Sequence, residues 1–283
     1  MPTPKDNPNT QYLPFPPTRV VPAEPAPPPP PTEPPKPEPP KNGPWETYTP
    51  ESREVDLGYA GACLLAIAGL VGGMLLCQYF QAKTTSPYVH LLAGMLPFQF
   101  FALGAGLLML IPQFRKRGFW VTLDMSPRTC SFWNQVKSTI FTVIYLFVGV
   151  LVLNQISAIA CQELGIEMKD QALVTQTIVN ANDPLYVALS IFSSIIIAPI
   201  AEEILFRLLL FRTIRSFAPR WATLVTAVAF ALMHDGPQFI PSLILLSYIL
   251  QNCRREGGLL RSMLVHAAYN SIATITIFLS ISS

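Results

Sequence analysis

Three short polar patterns interrupt the apolar C-terminal third of this chain. Glu202, Glu203 and Arg207 lie in Ala-Glu-Glu-Ile-Leu-Phe-Arg, Phe230 and His234 in Phe-Ala-Leu-Met-His, and His266 and Asn270 in His-Ala-Ala-Tyr-Asn. Carboxylates and imidazoles can take up and release protons, and an amide can both donate and accept hydrogen bonds, so these are the residue types of a polar, chemically competent site. On a helix, Glu203 and Arg207 stand one turn apart with the acid first, the favourable order for an ion pair. Glu202 is rotated from Glu203 by about 100° and is free to point elsewhere. His266 and Asn270 share one helical face, and Phe230 shields His234 on its own face.

Each pattern sits where a bilayer would be. A charge at mid-membrane costs about 2.5–3.5 kcal/mol on insertion scales. Two glutamates and an arginine are therefore retained only if they pair or face a wet cavity. Taken singly, each motif has a plainer reading: Glu203 and Arg207 as a structural pair, His234 as an interfacial cap beside Asp235, Gly236 and Pro237, Asn270 as interhelical glue. At 1.5 Å per residue, Glu202 lies roughly 15 Å from Arg212, His266 roughly 8 Å from Arg261 and His234 roughly 21 Å from Arg220. That spread suits a polar cavity in the middle or cytoplasmic half of the membrane, without fixing convergence.

The elements that position these residues follow from composition. Apolar residues are 51% and charged residues 13% of the 283-residue chain, against a usual charged share of about a quarter. A net charge of +2 with no basic, aromatic-laced stripe excludes nucleic acid as a partner. Cys63, Cys77, Cys130, Cys161 and Cys253 are scattered, form no CxxC pair, and read as small hydrophobes rather than a zinc or disulfide framework. No secretory leader is evident; the first long apolar run begins near Leu57 and reads as a retained signal anchor.

Seven segments are expected to cross or enter the bilayer: Leu57 to Gln81, Val89 to Ile111, Ser138 to Cys161, Pro184 to Phe211, Trp221 to His234, Gln238 to Leu250 and Leu259 to Ile281. The fifth and sixth are short enough to be half-spans. Basic residues cluster in alternate loops: Arg115, Lys116, Arg117, Arg128 and Lys137; then Arg212, Arg215 and Arg220; then Arg254, Arg255 and Arg261. The positive-inside rule places those loops and the N-terminus in the cytoplasm. Phe119, Trp120 and Trp133 mark an interfacial segment among the basic residues. Met1 to Pro50 is dominated by proline and reads as an extended arm, a spacer ahead of a PxxP ligand for an aromatic groove.

The expected fold is all-α, a polytopic transmembrane bundle of about seven spans with a disordered proline-rich arm. Residues 1–55 form the arm, 56–165 the N-terminal spans with their interfacial loop, and 184–281 the transmembrane domain that carries the polar motifs.

The order EExxxR, FxxxH, HxxxN, each on its own apolar segment, resembles the CAAX protease and bacteriocin-processing family of intramembrane endopeptidases. The matching positions are Glu202, Glu203 and Arg207; Phe230 and His234; His266 and Asn270. Leu208 departs from the small glycine common after the arginine. The resemblance implies that Glu202 is the general base for an attacking water, that His234 holds and polarises it, and that His266 and Asn270 stabilise the oxyanion. Glu203 joins this catalytic set, held by Arg207, although the pair reads first as structural. A metal is left open: zinc, if one takes part, would sit on Glu202, His234 and His266, but there is no HExxH and the sequence suggests no supporting carboxylate for either histidine. A metal-free glutamate mechanism is preferred.

The implied activity is hydrolysis of a peptide bond in a membrane-associated protein or peptide, with prenylated CAAX-type proteins as one class. The alternative is a non-proteolytic membrane scaffold or bacteriocin-immunity protein. A transporter ranks last, since no inverted repeat is visible. The expected partners are a membrane substrate, the lipid bilayer and an unidentified ligand of the arm. The expected location is the plasma (inner) membrane if the source is bacterial.

Overall fold

The computed structural model describes residues 50–125 and 132–282. The arm expected over residues 1–55 lies outside the described residues as far as 49, as does Cys130. The described chain is helical throughout, with no β-strand among the described residues. The elements are α1 (Pro50–Gln81), α2 (Pro87–Met109), α3 (Ile111–Arg117), α4 (Phe119–Thr122), α5 (Phe132–Glu163), α6 (Ala172–Val179), α7 (Pro184–Phe217), α8 (Ala222–Leu232) and α9 (Ile240–Ser282).

Four stretches are long and apolar enough to cross a bilayer: Gly58–Gln81, Pro87–Met109, Val136–Glu163 and Pro184–Phe217. The protein is an integral membrane protein. Leu64, Ile67, Val71 and Leu75 of α1, and Phe141, Ile144, Val148 and Val152 of α5, are exposed. Such outward apolar stripes are what a helix presents to lipid. The expected count of seven is not reached by this measure, for two physical reasons. The fifth expected span is the 11-residue α8, roughly 16 Å long against a core of roughly 30 Å. The sixth and seventh are two helical stretches of α9 that meet at a kink at Gly258 (φ 81°, ψ 178°), and neither is long and apolar enough to be counted.

α2 and α7 are not regular. Their turns widen to five-residue spacing at Pro97–Ala102, Ser193–Ile197 and Glu203–Leu210. Pro97 and Pro199 stand at or near these stretches, and a proline inside a helix removes the donor that the four-residue ladder needs. The last stretch is the centre of the molecule, with every residue from Glu203 to Leu209 buried. Leu205, Leu208 and Leu209 join Tyr59, Ala62 and Ala66 of α1 and Leu259 and Met263 of α9 in one apolar cluster. Phe206 faces a second cluster with Leu146 and Val150 of α5, Phe230 of α8, and Leu246, Leu250 and Val265 of α9. The widened helix is thus gripped from both sides, and Glu203 and Arg207 travel with it into the interior.

Two further features hold the bundle together. Asp183 caps α7 by accepting from the N–H groups of Leu185 (3.1 Å) and Tyr186 (3.2 Å), and Tyr88 Oη donates to it at 2.5 Å. These bonds, chiefly that from Tyr88, hold its carboxyl below the usual carboxylate range. At the other end of that loop, Gln238 Nε2 donates to the Lys169 carbonyl at 2.7 Å. Gly236 (φ 88°) passes so close beneath it that a Cβ there would lie 2.4 Å from the Lys169 oxygen. α3 and α4 carry exposed Arg115, Lys116 and Arg117 next to exposed Phe119 and Trp120. Cys63, Cys77, Cys161 and Cys253 are buried free thiols.

Candidate active site

Adjacent glutamates at the junction of a regular and a widened stretch of α7 face different surroundings. Glu203 is fully buried, while the Glu202 side chain keeps 15% of its surface. That difference decides which acid water can reach. Glu203 lies 3.4 Å (Oε2) from Arg207 Nε, itself fully buried. Ser262 Oγ donates to the same carboxylate. The Arg207 guanidinium also stacks over the Phe230 ring at 4.6 Å, a cation–π contact that helps to offset its removal from water.

His266 joins the two acids. Its Nδ1 donates to Glu203 Oε1 at 3.0 Å. A carboxylate only accepts, so this bond holds a proton on Nδ1 and turns Nε2 toward Glu202. Nε2 faces Glu202 Oε2 at 3.6 Å, longer than a hydrogen bond. Imidazole and carboxylate therefore confront one another with the outer acid partly wet.

Residues 184–272 match the family described as type II CAAX prenyl endopeptidase Rce1-like. Over this segment the chain is similar to that family of CAAX endopeptidases. Neither a comparison with curated proteins nor one with solved structures finds a match. The matched segment takes in all the polar motifs described above, and the matching family is one of peptidases. Leu208, the departure from the usual glycine, is fully buried among α1 and α9 side chains. It fills the core and displaces no polar group.

The remaining motif residues divide. His234 stands just beyond the end of α8, its Nδ1 donating to the Phe230 carbonyl at 2.8 Å. Since a carbonyl only accepts, Nε2 is the nitrogen left to meet water. Phe230 packs against both imidazoles, with ring centroids 4.8 Å from His234 and 6.0 Å from His266. Asn270 lies one turn beyond His266, and its Nδ2 donates to the Ser194 carbonyl in a widened turn of α7 at 2.8 Å. His90, given no role from the sequence, meets the Thr84 carbonyl at 3.1 Å far from these groups in sequence.

A metal centre on Glu202, His234 and His266 does not fit this arrangement. Among the described residues, no three His, Cys, Asp or Glu side chains converge closely enough to hold an ion. One expectation from the sequence needs correcting: His266 does have a supporting carboxylate, and it is Glu203. Two residues escaped the sequence reading altogether. Ser262, one turn before His266 on the same face, bonds Glu203, and Arg254 donates from Nη1 to the Arg207 carbonyl. Ser262 was findable from that four-residue spacing; Arg254 carried no signal beyond its charge.

Proposed function

We propose that this protein is an intramembrane endopeptidase that hydrolyses a peptide bond of a membrane-associated substrate, prenylated CAAX-type proteins being the class the family match favours. The observation that carries this reading is His266 set between two glutamates of unequal burial. Residues 184–281 form the catalytic region, and the alternation of basic loops supports a substrate side in the cytoplasm.

Glu202 acts as general base and takes a proton from water, and the resulting hydroxide adds to the scissile carbonyl carbon. His234 orients that water through Nε2. The oxyanion of the tetrahedral intermediate is met by Asn270, whose amide keeps a second N–H beyond the one given to Ser194, and by a His266 whose Nε2 has taken a proton from solvent before the substrate binds. Glu202 then passes its proton to the departing amine nitrogen as the C–N bond breaks. Glu203 is a positioning residue: it fixes the orientation of His266 while Arg207 neutralises it.

The test is cleavage of a quenched-fluorescent prenylated CAAX-type peptide by the purified full chain. Wild type is expected to cleave it, and Glu202→Gln to retain the fold without cleaving. Equal proteolysis by both would reject the assignment. Absence of cleavage by wild type, with normal folding, would favour a scaffold or immunity role.

A further inference from the structure

The site proposed above is held by a residue that lies well outside the matched segment. Asp124 follows α4, in the loop between the second and third spans, and is the only non-glycine with positive φ (57°) among the described residues. A left-handed turn at a residue with a Cβ persists only where its surroundings enforce it. Here they do so at two points. The Asp124 carbonyl accepts the Leu259 N–H at 2.9 Å. That N–H is the first beyond the Gly258 break, where α9 restarts and its own ladder offers no acceptor. The Asp124 carboxylate accepts from Arg254 Nε at 3.1 Å.

Arg254 carries the connection onward. Its side chain is buried, its guanidinium lies 5.4 Å over the Phe211 ring, and Nη1 reaches the Arg207 carbonyl inside the widened stretch of α7. One aspartate thus ties the start of the helix that bears His266 to the stretch that bears Glu203. Leu259 is two turns from His266, and Arg207 is one turn from Glu203. The distance between acid and imidazole is set at one end by the Asp124 carbonyl and at the other, through Arg254, by its carboxylate.

We propose that Asp124 and Arg254 are positioning residues that fix the spacing of Glu202 and Glu203 from His266, so that the loop at the membrane surface determines the geometry of the buried site. Neither touches substrate. The inference rests on the protease reading for its kinetic consequence, but its structural claim is tested separately.

Two readouts decide it, both on the full chain in detergent. The first is kinetic, with the prenylated quenched-fluorescent peptide. Asp124→Asn keeps the shape and removes the charge; it is expected to lower kcat by about 10- to 100-fold, the usual consequence of a small misplacement, with KM within about twofold. Arg254→Lys should retain more activity than Arg254→Gln, because a lysine still reaches one acceptor. The second readout is nitrogen NMR of histidine-labelled protein. The chain has 3 histidines, so the ring signals of His266 are separable from those of His90 and His234. In Asp124→Asn the His266 signals are expected to move while those of His90 stay.

Unchanged kcat with unchanged His266 signals overturns the proposal, as does a raised KM with kcat retained. If Arg254→Gln fails to fold, Asp124→Asn decides alone. If the wild type does not cleave, the protease reading falls, and the His266 signals still judge whether Asp124 holds that imidazole.

Discussion

Glu203 Oε1 accepts the Nδ1 proton of His266 at 3.0 Å, from a position with no exposed surface. This bond gives the second of the adjacent glutamates a task distinct from the first. In the mechanism proposed above, Glu202 exchanges a proton with water while Glu203 aims the imidazole.

Glu202→Gln is expected to lower kcat by about 10²–10⁴-fold, the range for loss of a general base. Its melting temperature should match wild type, because Glu202 is not part of the buried pair. Single-turnover cleavage beside a thermal melt checks both halves; a melt lowered as far as the activity would mean that Glu202 is structural.

Glu203→Ala should behave in the opposite order. It leaves Arg207 buried without its carboxylate, and breaking such a pair costs about 3–5 kcal/mol. The expected result is low yield and early unfolding in detergent. Glu203→Gln restores an acceptor for His266 but not the charge, and is expected to fall between Glu203→Ala and wild type. A Glu203→Ala protein as stable as wild type would show that the ion pair contributes nothing.

Asn270 can be tested by the polarity of its bond. The Ser194 carbonyl needs a donor, so Asn270→Asp sets a carboxylate against an oxygen and should be worse than Asn270→Ala in both yield and kcat. Asn270→Ala should lose only an interhelical hydrogen bond, about 0.6 kcal/mol on average in membranes, while kcat falls much further. Equal stability of the two variants would contradict the donor assignment.

The bonds that hold the two acids and the imidazole in place mark how far the sequence could be read. Glu203 with Arg207, and His266 with Asn270, are each pairs on one helix, and a four-residue spacing reveals them directly. The bond from Glu203 to His266 joins residues 63 apart, and nothing in a single sequence links them. The span boundaries are harder to read. Asp235, Gly236 and Pro237 break the chain visibly, whereas the kink at Gly258 separates two helical stretches of α9 without a turn-rich loop to announce it. The all-α membrane fold was legible because apolar runs of more than twenty residues leave few alternatives. The widened turns of α7 were not, since proline predicts a disturbance but not its form.

The cap at Asp183 gives a pH prediction. Its folded carboxyl titrates below the unfolded value of about 3.9, so its stabilisation is complete above that value and is lost as pH falls through the depressed one. Asp183→Asn should melt about 2–4 °C below wild type near neutrality, and the two curves should merge as the pH drops below about 4. Thermal melts in matched buffers check this; a gap that widens on acidification would reverse the sign.

The segment between α5 and α7 is stitched down at Lys169 and again at Asp183, leaving α6 between the two stitches. An epitope or fluorophore inserted among residues 180–182 would ride on the outside of the folded protein without pulling on His234. The same insertion between Glu167 and Asp170 would part the Lys169 carbonyl from the Gln238 amide at the entry to α9. A tag on that face therefore belongs after α6 rather than before it.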